Sequence, residues 1–268
     1  LLCVTGKVPV ETSDVLCFML DRIFDNWCNE AALLLPHASA KEVDSVANEW
    51  VHAGPFFVLN LANGNPIIIE TNTHQMEEGA HYRPASIFAS VDRWNTVRLG
   101  QRIDVDEKTA KLIRTRLLGI LLSQSFDIVD RGIGTNADLE LGCKLALGFK
   151  RGPFDLVAEL GDEEVTSLMS AFVKDRPGMP QNRAAPSTYA DFPRHVLVDD
   201  MDGVCVLTLR RPHAMNALDD EVTDELLLTI EAHEASAEGF VIVGYGPRAF
   251  CAGADIGRFP QMLGDANA

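Results

Sequence analysis

From Leu16 onward the apolar positions Leu16, Met19, Leu20, Ile23, Trp27, Ala31, Leu34 and Leu35 fall at helical spacing, one stripe of a long amphipathic helix. Ser39, with Glu42 three residues later, has the form of a capping box for a second helix. Gly54-Pro55 starts another, with proline in its first turn. A second long helix is predicted from about Asp106 to Asp130, with Leu112, Leu117, Leu121 and Ile128 among its apolar positions and Gly132 as its C-terminal cap. Past residue 193 the period changes. "HVLVDDMDGVCVLTLRR" alternates as two short strands about a turn at Asp202-Gly203, "DDEVTDELLLTIEAHEAS" returns to helical spacing, and "GFVIVGYG" reads as a buried strand. Strand, helix, strand is the start of an α/β unit.

Two features organise these elements. "ASAKEVDSVANEWVHAGPFFVLNLANG" (38–64) matches "IGTNADLELGCKLALGFKRGPFDLVAELG" (133–161) in order and kind: a small capping residue, an acidic helix start, a Gly-Pro-Phe and a closing Gly. Such a repeat is the pattern of a duplicated domain, with halves at about 6–65 and 105–165 packing face to face as a pseudo-dimer. Pro177, Pro180, Pro186 and Pro193, with polar residues between them, read as a linker over 176–193. The expected layout is a helical domain over 1–175, the linker, and an α/β unit over 194–268.

Composition narrows the function classes. The net charge is −16, and residues 193–268 hold 13 of the 39 acidic side chains but 5 of the 23 basic ones. A nucleic-acid backbone would be repelled, so no nucleic acid is expected as a partner. No apolar run reaches the length of a membrane span, "LLGILL" (117–122) being core-sized. The opening "LLCVTGKVPV" has no initiator Met and no basic leader, so it reads as the inside of a longer cytoplasmic chain. Six scattered cysteines without a CxxC pair read as free, buried, small hydrophobes. "HQMEEGAH" (74–81) lacks helical ligand spacing and reads as a solvated loop, so no metal is expected.

Three segments carry candidate chemistry. "GIGTNA" (132–137) has the G-x-G-x-x-A form of a dinucleotide loop, but it follows a helix rather than a strand, and what lies twenty residues on is helical. A helix stop followed by Thr135 as the next N-cap accounts for it. "RPHAMNAL" (211–218) ends a strand, and "GPRAFCAGADI" (246–256) follows another. The small residues at 252–254 let a backbone approach a ligand, and free N–H groups in such a turn stabilise a developing oxyanion; turns of this kind also serve merely as connections.

Taken together, "RPHAMNAL", "GYG" (244–246) and "FCAGADI", in that order after an alternating strand, resemble the amino-terminal third of an enoyl-CoA hydratase of the crotonase family, over about 194–268. The resemblance implies that the N–H of Ala254 is one of two oxyanion-hole donors to a thioester carbonyl. It also implies that the loops His213–Ala217 and Ala252–Ile256 hold coenzyme A, through His213, Ala214, Met215, Ala217, Ala252, Gly253, Asp255 and Ile256. His213 stands where the family often carries a basic residue. The family's second donor, a Gly, and its two glutamates have no match in this stretch.

"GKVPVETSDVLCFMLDRIFDNWCNEA" (6–31) and the two Gly-Pro-Phe units are similar to the carboxy-terminal helical domains of the 3-hydroxyacyl-CoA dehydrogenases, over about 6–165. That family usually has Asn-Arg where this chain has Asp21-Arg22. The Asn helps position the substrate; Asp21 can accept a hydrogen bond but brings charge near a reacting carbonyl. Asn60 likewise replaces the usual Asp after the first Gly-Pro-Phe. The family's NAD-binding domain has no match here.

The expected fold is therefore multidomain: an all-α, duplicated, dehydrogenase-type helical domain followed by an incomplete α/β crotonase-like unit. The expected function is that of a piece of a bifunctional enzyme that hydrates enoyl-CoA and oxidises 3-hydroxyacyl-CoA with NAD, the chain alone lacking complete active sites. The alternative is a non-catalytic helical dimerisation module with a residual CoA-binding tail, self-associating through the helical repeats.

Overall fold

The computed structural model describes residues 7–256 and divides into two compact units. One spans residues 10–191; the other comprises residues 192–256 together with residues 7–9.

The first unit is helical: α1 (Met19–Leu33), α2 (Ala40–Ala47), α3 (Pro55–Ala62), α4 (Asn65–Gln75), α5 (Glu107–Asp130), α6 (Asn136–Leu145), α7 (Pro153–Asp175) and α8 (Pro186–Ala190). The predicted stripe buries Met19, Ile23, Trp27, Ala31 and Leu34. α1 starts three residues later than the stripe suggests, because Cys17 and Phe18 adopt φ of 63° and 31°, outside the helical region. Ser39 and Glu42 form the capping box in both directions. Gly132, at φ 64°, ends α5: its N–H bonds to Val129 O and that of Ile133 to Ile128 O, the paired bonds of a Schellman motif. Thr135 then caps α6.

The repeat has a physical cause visible in both copies. Five positions after the N-caps Ser39 and Thr135 stand Asp44 and Glu140, and each carboxylate caps the Gly-Pro-Phe helix of its own copy. Asp44 accepts from the N–H groups of Phe56 (2.9 Å) and Phe57 (3.0 Å); Glu140 accepts from Phe154 (3.0 Å). Glycine is needed ahead of the proline because a Cβ at Gly54 would lie 2.5 Å from Asp44 Cγ, and one at Gly152 would lie 2.1 Å from Glu140 Cδ. Each Gly-Pro-Phe helix then breaks at a left-handed residue, Asn63 (φ 50°) in the first copy and Gly161 (φ 78°) inside α7 in the second. Thus α7 corresponds to α3 and α4 joined across a kink. The copies also pair with each other: Val51 and Phe149, each three residues before its Gly-Pro-Phe, form an antiparallel bridge. His52 N–H bonds to Gly148 O (3.0 Å), and Lys150 N–H bonds reciprocally to Trp50 O (2.8 Å).

The stretch expected as a linker over 176–193 is instead packed onto this unit as far as Asp191. Met179, Pro186 and Tyr189 are buried, the Tyr189 ring lies 4.6 Å from that of Phe126, and its hydroxyl donates to Asp130 (2.7 Å). Proline density there sets the path of a strap rather than the freedom of a tether.

In the second unit, β1 (Val196–Met201) and β2 (Val204–Leu209) form the predicted hairpin, with Asp202 and Gly203 both at positive φ as a two-residue hairpin turn requires. α9 (Asp220–His233) connects β2 to β3 (Gly239–Gly244), which runs parallel to β2, giving the order β1-β2-β3. Cys205, Leu207 and Leu209 alternate onto one face and pack with Val196, Val222, Leu226 and Ile230. β3 is not the buried strand expected: Val241, Ile242 and Val243 are 45%, 39% and 36% exposed, since among the described residues it is the sheet's edge.

Candidate functional site

The second unit brings two of the candidate loops together at the ends of β2 and β3. The first leaves β2 through Arg210 and Arg211 and makes a 3-10 turn at Pro212–Ala214. It then passes through two successive left-handed residues, Met215 (φ 51°) and Asn216 (φ 56°). Asn216 is buried and fastens the turn. Its Oδ1 accepts from Arg211 N–H (3.0 Å), and its Nδ2 donates to Tyr245 O (3.1 Å) and Ala249 O (2.9 Å) on the segment after β3.

The second loop, 252–256, is laced to the first by backbone bonds. Ala252 N–H donates to Met215 O (3.1 Å), Leu218 N–H to Gly253 O (2.9 Å), and Asp255 N–H to Leu218 O (2.8 Å). Leu218 and Ala254 thereby form a parallel bridge, with Gly253 at φ 92°, where only glycine is unstrained. In a parallel bridge the partner flanked by both bonds turns its own N–H away from the pairing strand. Gly253 N–H meets Cys251 Sγ (3.3 Å) and Asp255 N–H is used in the bridge, while among the described residues the Ala254 N–H has no acceptor. Ala254 is also exposed. Gly244 is required because a Cβ there would lie 2.2 Å from Phe250 O, and this close approach lets the chain fold back after β3.

Of the candidate residues, His213, Ala214, Met215, Ala217, Ala252, Gly253, Ala254, Asp255 and Ile256 therefore lie on two adjoining loops, with Ala217 buried and Met215 and Ile256 exposed. Asp21 belongs to the other unit, exposed in the first turn of α1. Sequence reasoning missed Arg211. Its guanidinium bonds Asp255 (2.6 Å), Asp219 (3.0 Å) and Ala217 O (3.2 Å), and the available signal was an Arg at a strand end with acids at an N-cap and in a glycine loop.

Around α1 the helical unit holds a buried polar network. Arg22, fully buried, forms a two-pronged pair with Glu78, which also receives Arg131. Burial alone would raise the Glu78 carboxyl; hydrogen bonds from Arg22 and Arg131 outweigh it and lower it to about 2. "HQMEEGAH" is consequently not the free loop expected: His74 closes α4 and Glu78 is an internal counter-ion. Asn26 links Gln75, Gln124 and Asn72. Among the described residues Asp25 has no such cation; burial, with the charge of Asp21 adding to it, pushes its carboxyl up to about 7 against a hydrogen bond from Thr71.

The residues of "GIGTNA" do not fit a dinucleotide. Gly132 and Thr135 are occupied as caps, and a Cβ at Gly134 would lie 2.2 Å from Met19 Sδ, so that glycine is filled against α1. Among the described residues no helix is long and apolar enough to cross a membrane, and no group of three His, Cys, Asp or Glu is gathered for a metal.

Comparison with known proteins locates the same segment. Residues 199–266 match the family model described as enoyl-CoA hydratase/isomerase. A mitochondrial 3-hydroxyisobutyryl-CoA hydrolase of Gallus gallus is 36% identical over 70 residues, which are 25% of this chain and 18% of that protein. A probable enoyl-CoA hydratase of Rhodobacter capsulatus is 41% identical over 56 residues, 21% of each chain. This chain thus spans about a fifth of the length of the curated relatives it matches. Among solved structures, a 3-hydroxybutyryl-CoA dehydrogenase of Escherichia coli aligns with a TM-score of 0.49 at 12% identity, over 63% of this chain and 58% of that one.

Proposed function

We propose that residues 192–256 present the thioester-polarising loop of an enzyme acting on acyl-CoA, with the Ala254 N–H donating to the carbonyl oxygen. The observation that carries this reading is that, among the described residues, the Ala254 N–H has no acceptor while the amides on either side of it, those of Gly253 and Asp255, are engaged. A donor held by its flanking bonds is preorganised, so it stabilises charge on the oxygen without reorganising as that charge develops. The two relatives differ in reaction, hydrolysis against hydration, but both names carry a CoA derivative. The shared class is therefore the thioester, and hydration of an enoyl-CoA is the reaction we assign.

The helical unit we assign to the 3-hydroxyacyl-CoA-oxidising half of the same fused enzyme, its two copies forming a pseudo-dimer. The reciprocal His52–Gly148 and Lys150–Trp50 bonds support the pseudo-dimer. Oxidation would use NAD, for which "GIGTNA" leaves no room, since a Cβ at Gly134 would already meet Met19 Sδ.

Binding of crotonyl-CoA tests the site directly. The expected result is a downfield shift of the Ala254 amide proton, together with a lowered stretching frequency of the thioester carbonyl. Crotonyl-CoA that fails to bind, or binds with both signals unmoved, would sink the assignment and favour an associating module instead.

A further inference from the structure

We infer that Arg211 is a positioning residue for the thioester-polarising loop, an inference that rests on the reading of Ala254 given above. The two loops and the N-terminus of α9 converge on this one side chain. Its Nη1 donates to Asp255 Oδ2 (2.6 Å) in the loop that carries Ala254, and to Ala217 O (3.2 Å) in the loop facing it. Its Nη2 pairs with Asp219 Oδ2 (3.0 Å), and Asp219 uses its other oxygen, Oδ1, to cap α9 at Val222 N–H (3.0 Å). All three charged side chains are largely buried, at 16%, 11% and 24% exposure for Arg211, Asp219 and Asp255. Screening by solvent is correspondingly weak, and a guanidinium fork can hold two carboxylates at fixed angles where an ammonium cannot.

The backbone of Arg211 is fixed as well. Its N–H meets Asn216 Oδ1, and its carbonyl accepts from Ala214 (3.1 Å) and Asn216 (2.9 Å). The guanidinium therefore issues from a braced strand end. Asp255 is the residue directly after Ala254, and its N–H closes the Leu218 bridge. Side chain and amide of Asp255 are thus held from two directions, and together they set the direction of the Ala254 N–H. Arg211 itself does not touch the Ala254 amide; it acts through Asp255.

The test uses Arg211→Lys and Asp255→Asn in the full chain, with crotonyl-CoA and free CoA as probes. Asp255→Asn keeps the Arg211–Asp219 pair and the α9 cap, so it separates the loop clamp from general stability and serves if Arg211→Lys does not fold. In both variants we expect, at saturating crotonyl-CoA, at least half of the carbonyl shift lost, and amide exchange at Leu218 and Asp255 at least tenfold faster in the free and the CoA-bound chain alike. Exchange at Val206 and Leu207 should be unchanged. The double variant should be no worse than the worse single one, since both changes break the same Arg211–Asp255 contact. A full carbonyl shift in Asp255→Asn overturns the role of Arg211 and leaves the Ala254 reading standing. An unaltered chain that binds crotonyl-CoA without any carbonyl shift overturns both.

Discussion

The two copies of the Gly-Pro-Phe repeat use one device with two different acids. In the first, the short side chain of Asp44 reaches two consecutive N–H groups, those of Phe56 and Phe57. In the second, the longer Glu140 reaches that of Phe154, and Lys144 pairs with both it (3.1 Å) and Asp155 (2.8 Å). One copy satisfies its helix start with a carboxylate and backbone alone; the other builds an ion-pair cluster around the same point. The difference teaches that position, not residue identity, is what the repeat retains: an acid five residues past the N-cap, a glycine to make room for it, and a proline that needs no N–H.

The comparison can be broken most severely at the glycines. Gly54→Ala and Gly152→Ala each place a methyl group inside the capping carboxylate, and each should destabilise the helical unit by about 3 kcal/mol through overpacking and loss of the cap. All three tryptophans, at 27, 50 and 94, lie in this unit, so their fluorescence during urea unfolding reports it separately. Next come the acids. Asp44→Ala removes the acceptor of two N–H groups, one buried (Phe56) and one half-buried (Phe57), and should cost about 2 kcal/mol, against about 1 kcal/mol for Glu140→Ala, which removes an acceptor of Phe154 N–H. Equal costs would show that the second Asp44 bond contributes nothing.

A pH series sharpens the picture further. Burial raises Asp25, Asp44 and Glu140 each to about 7, so the folded chain binds these protons more tightly than the unfolded one. Their contribution is complete below their unfolded values near 4 and is lost as pH rises through 7. Glu78, held at about 2, contributes above its unfolded value and loses that contribution as pH falls toward 2. Stability of the helical unit should therefore peak near pH 4 to 5 and decline toward pH 8. Asp25→Asn should flatten the decline, and a midpoint in urea that is constant from pH 5 to 8 would contradict it. The smallest effects are expected at the N-caps, Ser39→Ala and Thr135→Ala, at about 1 kcal/mol each.

What the chain revealed unaided was local. The capping box at Ser39, the proline starts at Pro55 and Pro153, the Schellman stop at Gly132 and the hairpin at Asp202-Gly203 each rest on residues within five positions of one another, where side chain and backbone settle the outcome without tertiary help. What stayed hidden was distant. The repeat was visible as spelling, but the caps that cause it reach 12 residues from Asp44 and 14 from Glu140, across helices that must first pack. The strap at 177–191 hid behind its prolines because its anchor, Tyr189, meets Asp130 at a separation of 59 residues. The same holds at the site. The small-residue loop was visible in the sequence and the crotonase resemblance pointed within it to Ala254, whereas Arg211 meets Asp255 at a separation of 44, beyond the reach of any local pattern.

The reciprocal bonds between the two copies, at His52–Gly148 and Lys150–Trp50, carry one more consequence. In an assembly of identical subunits, every mutation is made twice, and a residue that suits one side of the axis must suit the other. Joined in a single chain, the two sides are released from that constraint and inherit changes one at a time. Asp44 and Glu140 face equivalent tasks with different chemistry, and one copy joins its two helices across a kink at Gly161 within α7 where the other separates them as α3 and α4. Even the seam shows this release, since residues 50–52 (Trp-Val-His) and 148–150 (Gly-Phe-Lys) share no residue type and only the paired backbone bonds are common to both arms.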